Sequence, residues 1–409
     1  MNEKKRCGLI GERLGHSFSP AIHGMLSDYE YKLYELSPEQ VGPFLEAKAY
    51  DGLNVTIPYK KTVIPYCDEL TDAARSIGSV NTIVKRPDGT LLGHNTDYDG
   101  FLWLLKNAGA KVEGKKAVVL GTGGASVTVQ AALRDLGAAQ VVVVSRSGGD
   151  NYENIARHAD AKILVNATPV GMYPKTGVSP VDLDVFTALE GVFDVIYNPA
   201  KTRLLLEAEK RGIPCANGLG MLVAQAKAAA ERFTGKLIDD EKVYTIRAEL
   251  QRSTRNILLI GMPGSGKSTV GAALAEKLGR KLVDADALIV EKAGCTIPEI
   301  FEKDGEEGFR RIEHEVLCEI SKESGLVIAT GGGVVTRPEN LDPMRQNSLI
   351  VWLLRDTALL PKDGRPLSQT NSLTEMFKVR EPLYRAAADC IADNNGSLED
   401  TVKQILEAM

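Results

Sequence analysis

Seven short apolar runs punctuate the chain: KAVVL (116–120), QVVVVS (140–145), KILVNA (162–167), GVFDVIY (191–197), NILLIG (256–261), GLVIAT (325–330) and SLIVWLL (348–354). They are unbroken instead of alternating with polar residues, which predicts strands covered on both faces. Helical patterns lie between them, and strand alternating with helix predicts an α/β fold with parallel sheets. One stretch departs from this rule. In NTIVKRPDGTLLGHNTD (81–97), Pro87-Asp88-Gly89 separates two apolar runs and predicts a hairpin. Residues 1–100 therefore read as a mixed α/β lobe. Residues 101–235 read as a doubly wound, Rossmann-like lobe closed by the helical stretch GMLVAQAKAAAERFTG. The polar stretch 236–254 reads as a linker, with a boundary near residue 253, and 255–409 as a further α/β domain with a parallel sheet.

Composition bounds the function classes. A chain of 409 residues is too long for one core and suggests two or three domains. A net charge of −5 without a basic tract argues against nucleic acid as a partner. No apolar run approaches the ~18 residues of a membrane span. The opening MNEKKRCGLIG lacks a signal-peptide apolar region, which predicts a cytoplasmic protein. Six cysteines at 7, 67, 215, 295, 318 and 390 form no CxxC pair, the pattern of reduced thiols and not of a disulfide frame or zinc site. No motif addresses oligomeric state.

KKAVVLGTGGASVTVQ gives strand, glycine turn and helix. Gly121 and Gly123 allow a sharp turn and the close approach of a pyrophosphate to the helix N-terminus. Ser126 stands at the third fingerprint position in place of Gly or Ala, so the match is partial. The next strand ends VVVVSRSGGD, where an acidic residue would hold a ribose 2′-hydroxyl; Ser145, Arg146 and Ser147 stand there instead. A guanidinium and two hydroxyls suit a 2′-phosphate, which predicts NADP in preference to NAD.

Upstream, GHSFSP places Ser17 and Ser19 two residues apart. NVTIPYKK places Thr56 and Lys60 around a turn, and GHNTDYDG places Asn95 and Asp97 after the hairpin. Taken singly, each is accounted for by turn and cap chemistry. Together with GSVNTI, GTGGAS, NATPVGM, DVIYNP and GLGMLVAQA, in that order, they make residues 7 to about 235 resemble the shikimate dehydrogenase family. The resemblance implies reversible reduction of 3-dehydroshikimate to shikimate by NADPH, with Lys60 and Asp97 as the catalytic pair. It further implies that Ser17, Ser19, Thr56, Asn81, Asn95, Tyr197 and Gln225 hold the substrate, and that Gly121, Gly123, Gly124 and Ala125 cradle the cofactor. Hydride delivery to a ketone builds negative charge on oxygen, which a lysine ammonium held by a carboxylate can stabilise and protonate. Which of the two is the formal acid–base stays open, because a coupled pair shares its titration. Thr122 and Val127 depart mildly from the family's loop. A quinate-type dehydrogenase using NAD is the alternative, and Arg146 argues against it.

LIGMPGSGKSTVG (259–271) matches the full G-x-x-x-x-G-K-[ST] phosphate loop between an apolar strand and a helix. Gly261, Gly264, Ser265, Gly266, Lys267, Ser268 and Thr269 are then the nucleotide cradle, with Lys267 on the outer phosphates and Ser268 on Mg²⁺. A guanine-reading NKxD is absent, which argues against a GTPase. In KLVDADALI, Asp284 and Asp286 are expected on one face of a strand end, one near Mg²⁺ and one near an acceptor hydroxyl. VDAD, EEGFRRIE, ATGGGVV, GRPL and REPLY follow in the order of shikimate kinase, so residues 255–409 resemble that family. The resemblance implies ATP and Mg²⁺ as partners, with Asp284 in the Mg²⁺ shell and Asp286 on the shikimate hydroxyls. It places Arg310 and Arg380 on the acceptor carboxylate, Glu313 on Arg310, and Gly331, Gly332 and Gly333 against the acceptor. Arg365 would act from a lid during transfer. The lid segment 353–373 is shorter than the family's, and Arg355 comes too early to be the Arg that stacks near adenine, which predicts weaker nucleotide affinity or lid closure. The expectation is a bifunctional enzyme making shikimate and then shikimate 3-phosphate. The alternative is an active dehydrogenase whose kinase domain is a silent binding module.

Overall fold

The computed structural model describes residues 4–15, 17–360 and 373–409. The chain divides into two compact units. The first comprises residues 1–170, 179–197 and 207–249, and the second residues 171–178, 198–206 and 250–409.

The first unit holds two sheets. In one, β1 (Arg6–Gly11), β2 (Glu30–Glu35), β3 (Gly52–Val55), β4 (Glu69–Leu70), β5 (Thr82–Lys85) and β6 (Leu91–His94) lie in the order β2-β1-β3-β5-β6-β4. β1 runs parallel to β2 and β3, while β5 runs antiparallel to β3 and β6. The hairpin between β5 and β6 turns where Pro87-Asp88-Gly89 predicts it, with Gly89 at φ 84°. Helix Pro38–Glu46 starts from a Ser37–Gln40 capping box. Its Val41 and Leu45, one turn apart, pack on Ile10, Leu53, Val55 and Ile83 of the sheet.

The other sheet comprises β7 (Lys116–Leu120), β8 (Gln140–Val144), β9 (Ile163–Asn166), β10 (Gly191–Asp194) and β11 (Cys215–Ala216), in the order β11-β10-β9-β7-β8. It is parallel throughout, as its unbroken apolar runs require. Chain order reverses at β7, so a crevice opens at that strand's C-terminal end, where the glycine turn lies. Helix Gly124–Asp135 then packs Val129, Ala132 and Leu133 on Val119 and Val165.

The segment read as a linker holds helix Glu241–Thr254. Its polar composition hides an apolar stripe at i, i+3 and i+7, for Val243, Ile246 and Leu250 are buried. Tyr244 packs beside Trp103 with ring centroids 5.4 Å apart.

The second unit is built on β12 (Asn256–Ile260), β13 (Leu282–Asp284), β14 (Val327–Ala329), β15 (Ser348–Leu354) and β16 (Cys390–Asp393), in the order β13-β14-β12-β15-β16. All pairings are parallel. β12 sits between β14 and β15, so the phosphate loop emerges at the switch point of this sheet too. No helix among the described residues is long and apolar enough to cross a membrane, and all six cysteines are free.

Candidate active sites

A cavity of about 480 Å³ in the first unit gathers Ser17, Ser19, Thr56, Lys60, Asn81, Asp97, Tyr197 and Gln225. Ala125 also lines it, so the cavity reaches the start of the helix that follows the glycine turn. Lys60 Nζ donates to Asp97 Oδ2 at 2.6 Å, with both side chains partly open to the cavity. Asp97 sits in the first turn of helix Thr96–Asn107, and Gly100 brings that helix against helix Leu219–Thr234. A Cβ at Gly100 would stand 2.6 Å from the Met221 carbonyl oxygen and 3.0 Å from Gln225 Cβ, so the close approach that sets Asp97 near Gln225 needs glycine. Ser17 Oγ accepts the Ser19 N–H at 3.2 Å, and Tyr197, its phenol raised by burial, packs at a tilt against Phe18.

Asn95 does not line this cavity. It is the N-cap of helix Thr96–Asn107: its Oδ1 accepts the Tyr98 N–H at 3.3 Å and its Nδ2 donates to the Ser79 carbonyl at 3.0 Å. Both ends of its amide are thus engaged locally, the oxygen as the helix cap. Among the described residues, two polar side chains of the cavity escaped the sequence reading, Arg13 and Asn54. Asn54 left a signal, since it is the one polar side chain in the fully buried strand GLNV. Arg13 left none.

The nucleotide side is an open cradle. Gly121 turns with φ 100°, and a Cβ there would meet Thr168 at 2.8 Å. At Gly123 and Gly124 nothing lies within 4 Å of a would-be Cβ, which leaves the helix N-terminus accessible to a phosphate. Ser126, the departure from the fingerprint, is fully buried and donates its hydroxyl to the Gly121 carbonyl at 2.6 Å. The serine thus ties the loop to the helix. Arg146 and Ser147 are exposed just past β8, and Arg146 makes no ion pair among the described residues. Ser145 closes a turn through its N–H to the Asp150 carbonyl. These residues fit a dinucleotide bearing a 2′-phosphate.

In the second unit a cavity of about 630 Å³ is lined by Gly264, Gly266, Lys267, Ser268, Thr269, Asp284, Asp286, Arg310, Glu313, Gly331, Gly332, Gly333 and Arg380. Gly261, Gly264 and Gly266 all have positive φ. Lys267 Nζ donates to the Gly261 and Met262 carbonyls at 3.0 Å. Ser265 is buried, and its carbonyl accepts Asn394 Nδ2 at 2.6 Å. Ser268 Oγ donates to Asp284 Oδ2 at 2.8 Å, a hydroxyl–carboxylate pair that fits Mg²⁺. Asp284 and Asp286 do not share a strand face. Asp284 ends β13 and caps helix Ala285–Ala293, while Asp286 lies in that helix's first turn, its N–H donating to Asp284 Oδ1 at 3.0 Å.

Arg310 donates to Glu313 Oε2 at 2.6 Å, both buried, and to Glu306 at 3.2 Å. Burial raises the Glu313 carboxyl above its ordinary range, and Arg310 opposes that rise. Arg380 and Tyr384, on helix Leu373–Ala387, both donate to the Gly332 carbonyl. The three glycines are required by crowding: a Cβ at Gly333 would enter the Arg310 guanidinium, and one at Gly331 would lie 2.7 Å from Glu313 Oε1. Arg365, and most of the segment read as a short lid, lie outside the described residues.

Residues 9–83 match the family model for the shikimate dehydrogenase substrate binding domain, and residues 263–409 that for shikimate kinase. The shikimate dehydrogenase (NADP(+)) of Caldanaerobacter subterraneus subsp. tengcongensis is 38% identical over 273 residues, 59% of this chain and 96% of that one. A chorismate mutase/shikimate 5-dehydrogenase fusion protein from Clostridium acetobutylicum is 36% identical, with a TM-score of 0.58 over 62% of this chain and 98% of that one. Shikimate 5-dehydrogenase from Thermus thermophilus, solved with NADP(H) and shikimate, is 32% identical, with a TM-score of 0.55 over 60% of this chain and 99% of that one. The chain belongs to the NADP-dependent shikimate dehydrogenase family and carries a shikimate kinase domain at residues 263–409.

Proposed function

We propose that the protein catalyses two consecutive reactions, reduction of 3-dehydroshikimate to shikimate with NADPH and phosphorylation of shikimate to shikimate 3-phosphate with ATP. The observation that carries the first is the Lys60–Asp97 pair, joined at 2.6 Å in a cavity that also reaches Ala125 of the nucleotide turn. NADPH supplies the hydride. Lys60 presents an N–H to the ketone oxygen as charge develops there and supplies the proton, while Asp97 orients the ammonium. Ser17, Ser19, Thr56 and Tyr197 offer hydroxyls to the substrate's carboxylate and ring hydroxyls.

In the second unit Arg310 and Arg380 hold the acceptor's carboxylate, and Glu313 keeps the Arg310 fork in place. Asp286 accepts the proton from the attacking hydroxyl. Lys267 and the loop N–H groups hold the outer phosphates, and Ser268 with Asp284 holds Mg²⁺. The six free thiols support a cytoplasmic location.

The test is one incubation of the full chain with 3-dehydroshikimate, NADPH, ATP and Mg²⁺, with products identified by mass. Shikimate 3-phosphate is the expected product. Accumulation of unphosphorylated shikimate would overturn the kinase half, and unchanged 3-dehydroshikimate the dehydrogenase half.

A further inference from the structure

Behind the carboxamides of the dehydrogenase cavity lies a pair of hydroxyls that the reaction itself does not use. Thr82 opens β5 and Thr96 opens helix Thr96–Asn107; both are fully buried, with hydroxyl oxygens 2.9 Å apart. Thr82 Oγ1 accepts from Asn54 Nδ2 at 3.1 Å and lies 3.1 Å from Asn81 Oδ1. Thr96 Oγ1 lies 3.2 Å from the same Asn81 oxygen and 3.4 Å from Gln225 Oε1. At the far end the Tyr31 hydroxyl donates to Asn54 Oδ1 at 2.8 Å. Asn54, Asn81 and Gln225 all line the cavity, and they come from β3, the segment before β5 and helix Leu219–Thr234.

A carboxamide carries a donor at one end and an acceptor at the other, so its direction must be imposed by its neighbours. The Thr96 backbone N–H points at Asn81 at 2.6 Å, and an N–H donates only to oxygen. Asn81 therefore turns Oδ1 inward and leaves Nδ2 at the cavity wall, where it makes no hydrogen bond among the described residues. Each hydroxyl has one proton, so the pair forms a one-way relay: Asn54 Nδ2 donates to Thr82 Oγ1, Thr82 to Thr96 Oγ1, and Thr96 to Gln225 Oε1. Valine would fill the same volume without the cost of burying a hydroxyl. That cost is offset here only by contacts among cavity amides and their partners.

We propose that Thr82 and Thr96 are positioning residues of the dehydrogenase: their hydroxyl pair links the amides of Asn54 and Gln225, and the Thr96 N–H fixes that of Asn81, in one donor–acceptor pattern. That pattern selects a polyhydroxylated ring able to offer a lone pair to Asn81 Nδ2. The inference rests on the dehydrogenase reading above.

Thr82→Val and Thr82→Ser, each in the full chain, test it through KM and kcat for 3-dehydroshikimate, KM for NADPH, the kinase rate and the melting temperature. Loss of one buried hydrogen-bond hub is worth about tenfold in affinity. The expected result is a KM for 3-dehydroshikimate raised about tenfold in Thr82→Val, with a smaller change in kcat. KM for NADPH and the kinase rate stay unchanged, and Thr82→Ser returns KM close to wild type. Thr96→Val should act in the same direction, and it keeps the test open if Thr82→Val does not fold. An unchanged KM alongside a lowered melting temperature would make the pair a packing feature and overturn the proposal. So would a Thr82→Ser variant no better than Thr82→Val. A wild type that failed to reduce 3-dehydroshikimate would overturn the dehydrogenase reading itself, an outcome distinct from an active wild type with an indifferent Thr82→Val.

Discussion

Asp97 Oδ2 accepts the Lys60 ammonium at 2.6 Å, although the two residues stand 37 positions apart and reach the cavity from unrelated elements. Lys60 comes from the turn after β3, and Asp97 from the first turn of a helix. Replacing Lys60 by Ala should therefore lower ketone reduction about 10³-fold, since both charge stabilisation and the proton are lost. Phosphorylation of added shikimate should continue at the wild-type rate. The two rates, measured on one preparation, check this; reduction within a factor of two of wild type would remove Lys60 from the chemistry.

Arg146 stands exposed past β8 without an ion pair among the described residues, and a 2′-phosphate is the group that would engage it. Arg146→Ala should raise KM for NADPH about tenfold or more while leaving KM for NADH unchanged, because only NADPH loses a charge-assisted contact. Steady-state kinetics with the two cofactors decide it. Equal effects on both would mean that the arginine supports the loop and not the phosphate.

A buried histidine, His23, and a half-buried one, His94, tie the first unit's stability to pH. Burial holds the His23 imidazole down at about 3, and burial with the Arg232 guanidinium beside it holds His94 at about 4. His94 Nδ1 accepts Arg232 Nε–H at 3.1 Å, which demands the neutral ring. In the unfolded chain both rings titrate near 6.5. Above that pH neither state binds the proton and there is no penalty. As pH falls from about 6.5 towards 4, the unfolded state gains protons that the folded state refuses, and stability falls by up to ~1.4 kcal/mol per pH unit for each ring. Denaturant titrations followed by loss of dehydrogenase activity should show midpoints dropping between pH 6.5 and 4, and a shallower drop in His23→Gln.

Gly333 has the Arg310 guanidinium where its Cβ would stand. Gly333→Ala must push aside an arginine held by Glu313 and Glu306. It should raise KM for shikimate in the kinase assay at least tenfold, the scale of one charge-assisted hydrogen bond, and leave ketone reduction untouched. Kinase kinetics at saturating ATP would measure it.

The parallel sheets and both phosphate loops were legible because unbroken apolar runs and glycine spacing are local signals. NILLI is the wholly buried β12, and KAVVL is β7. Cavity membership was legible from the ordered motifs taken together, since single residues such as Ser17 also serve a local turn. Asn95 reads equally as ligand or cap, and the backbone took it as a cap. Asp286 was misplaced because β13 ends one residue before a helix begins, so period-two alternation stops at Asp284. The helix Glu241–Thr254 hid behind charged residues that cover three apolar positions. Thr82 and Thr96 gave no sign, since their role arises from which neighbours the fold brings within 3.5 Å.

Arg13 supplies the last prediction. Among the described residues three charged side chains line the dehydrogenase cavity, Arg13, Lys60 and Asp97, and the latter two offset each other at 2.6 Å. The uncompensated charge is that of Arg13, an exposed residue at the rim beside Gly15 and Ser17. The substrate proposed for this cavity is a carboxylate, and the hydroxyls of Ser17 and Ser19 can orient it without neutralising it. A rim cation then acts mainly by attraction at a distance, which salt screens over about 8 Å at physiological ionic strength. Arg13→Gln should lower kcat/KM for 3-dehydroshikimate about fivefold at low salt, and the gap should close as salt approaches about 0.5 M. The wild type alone should show a falling kcat/KM across that range. A gap independent of salt would instead assign Arg13 a direct, water-excluded bond to the carboxylate, and no gap at all would leave it a solvated surface residue.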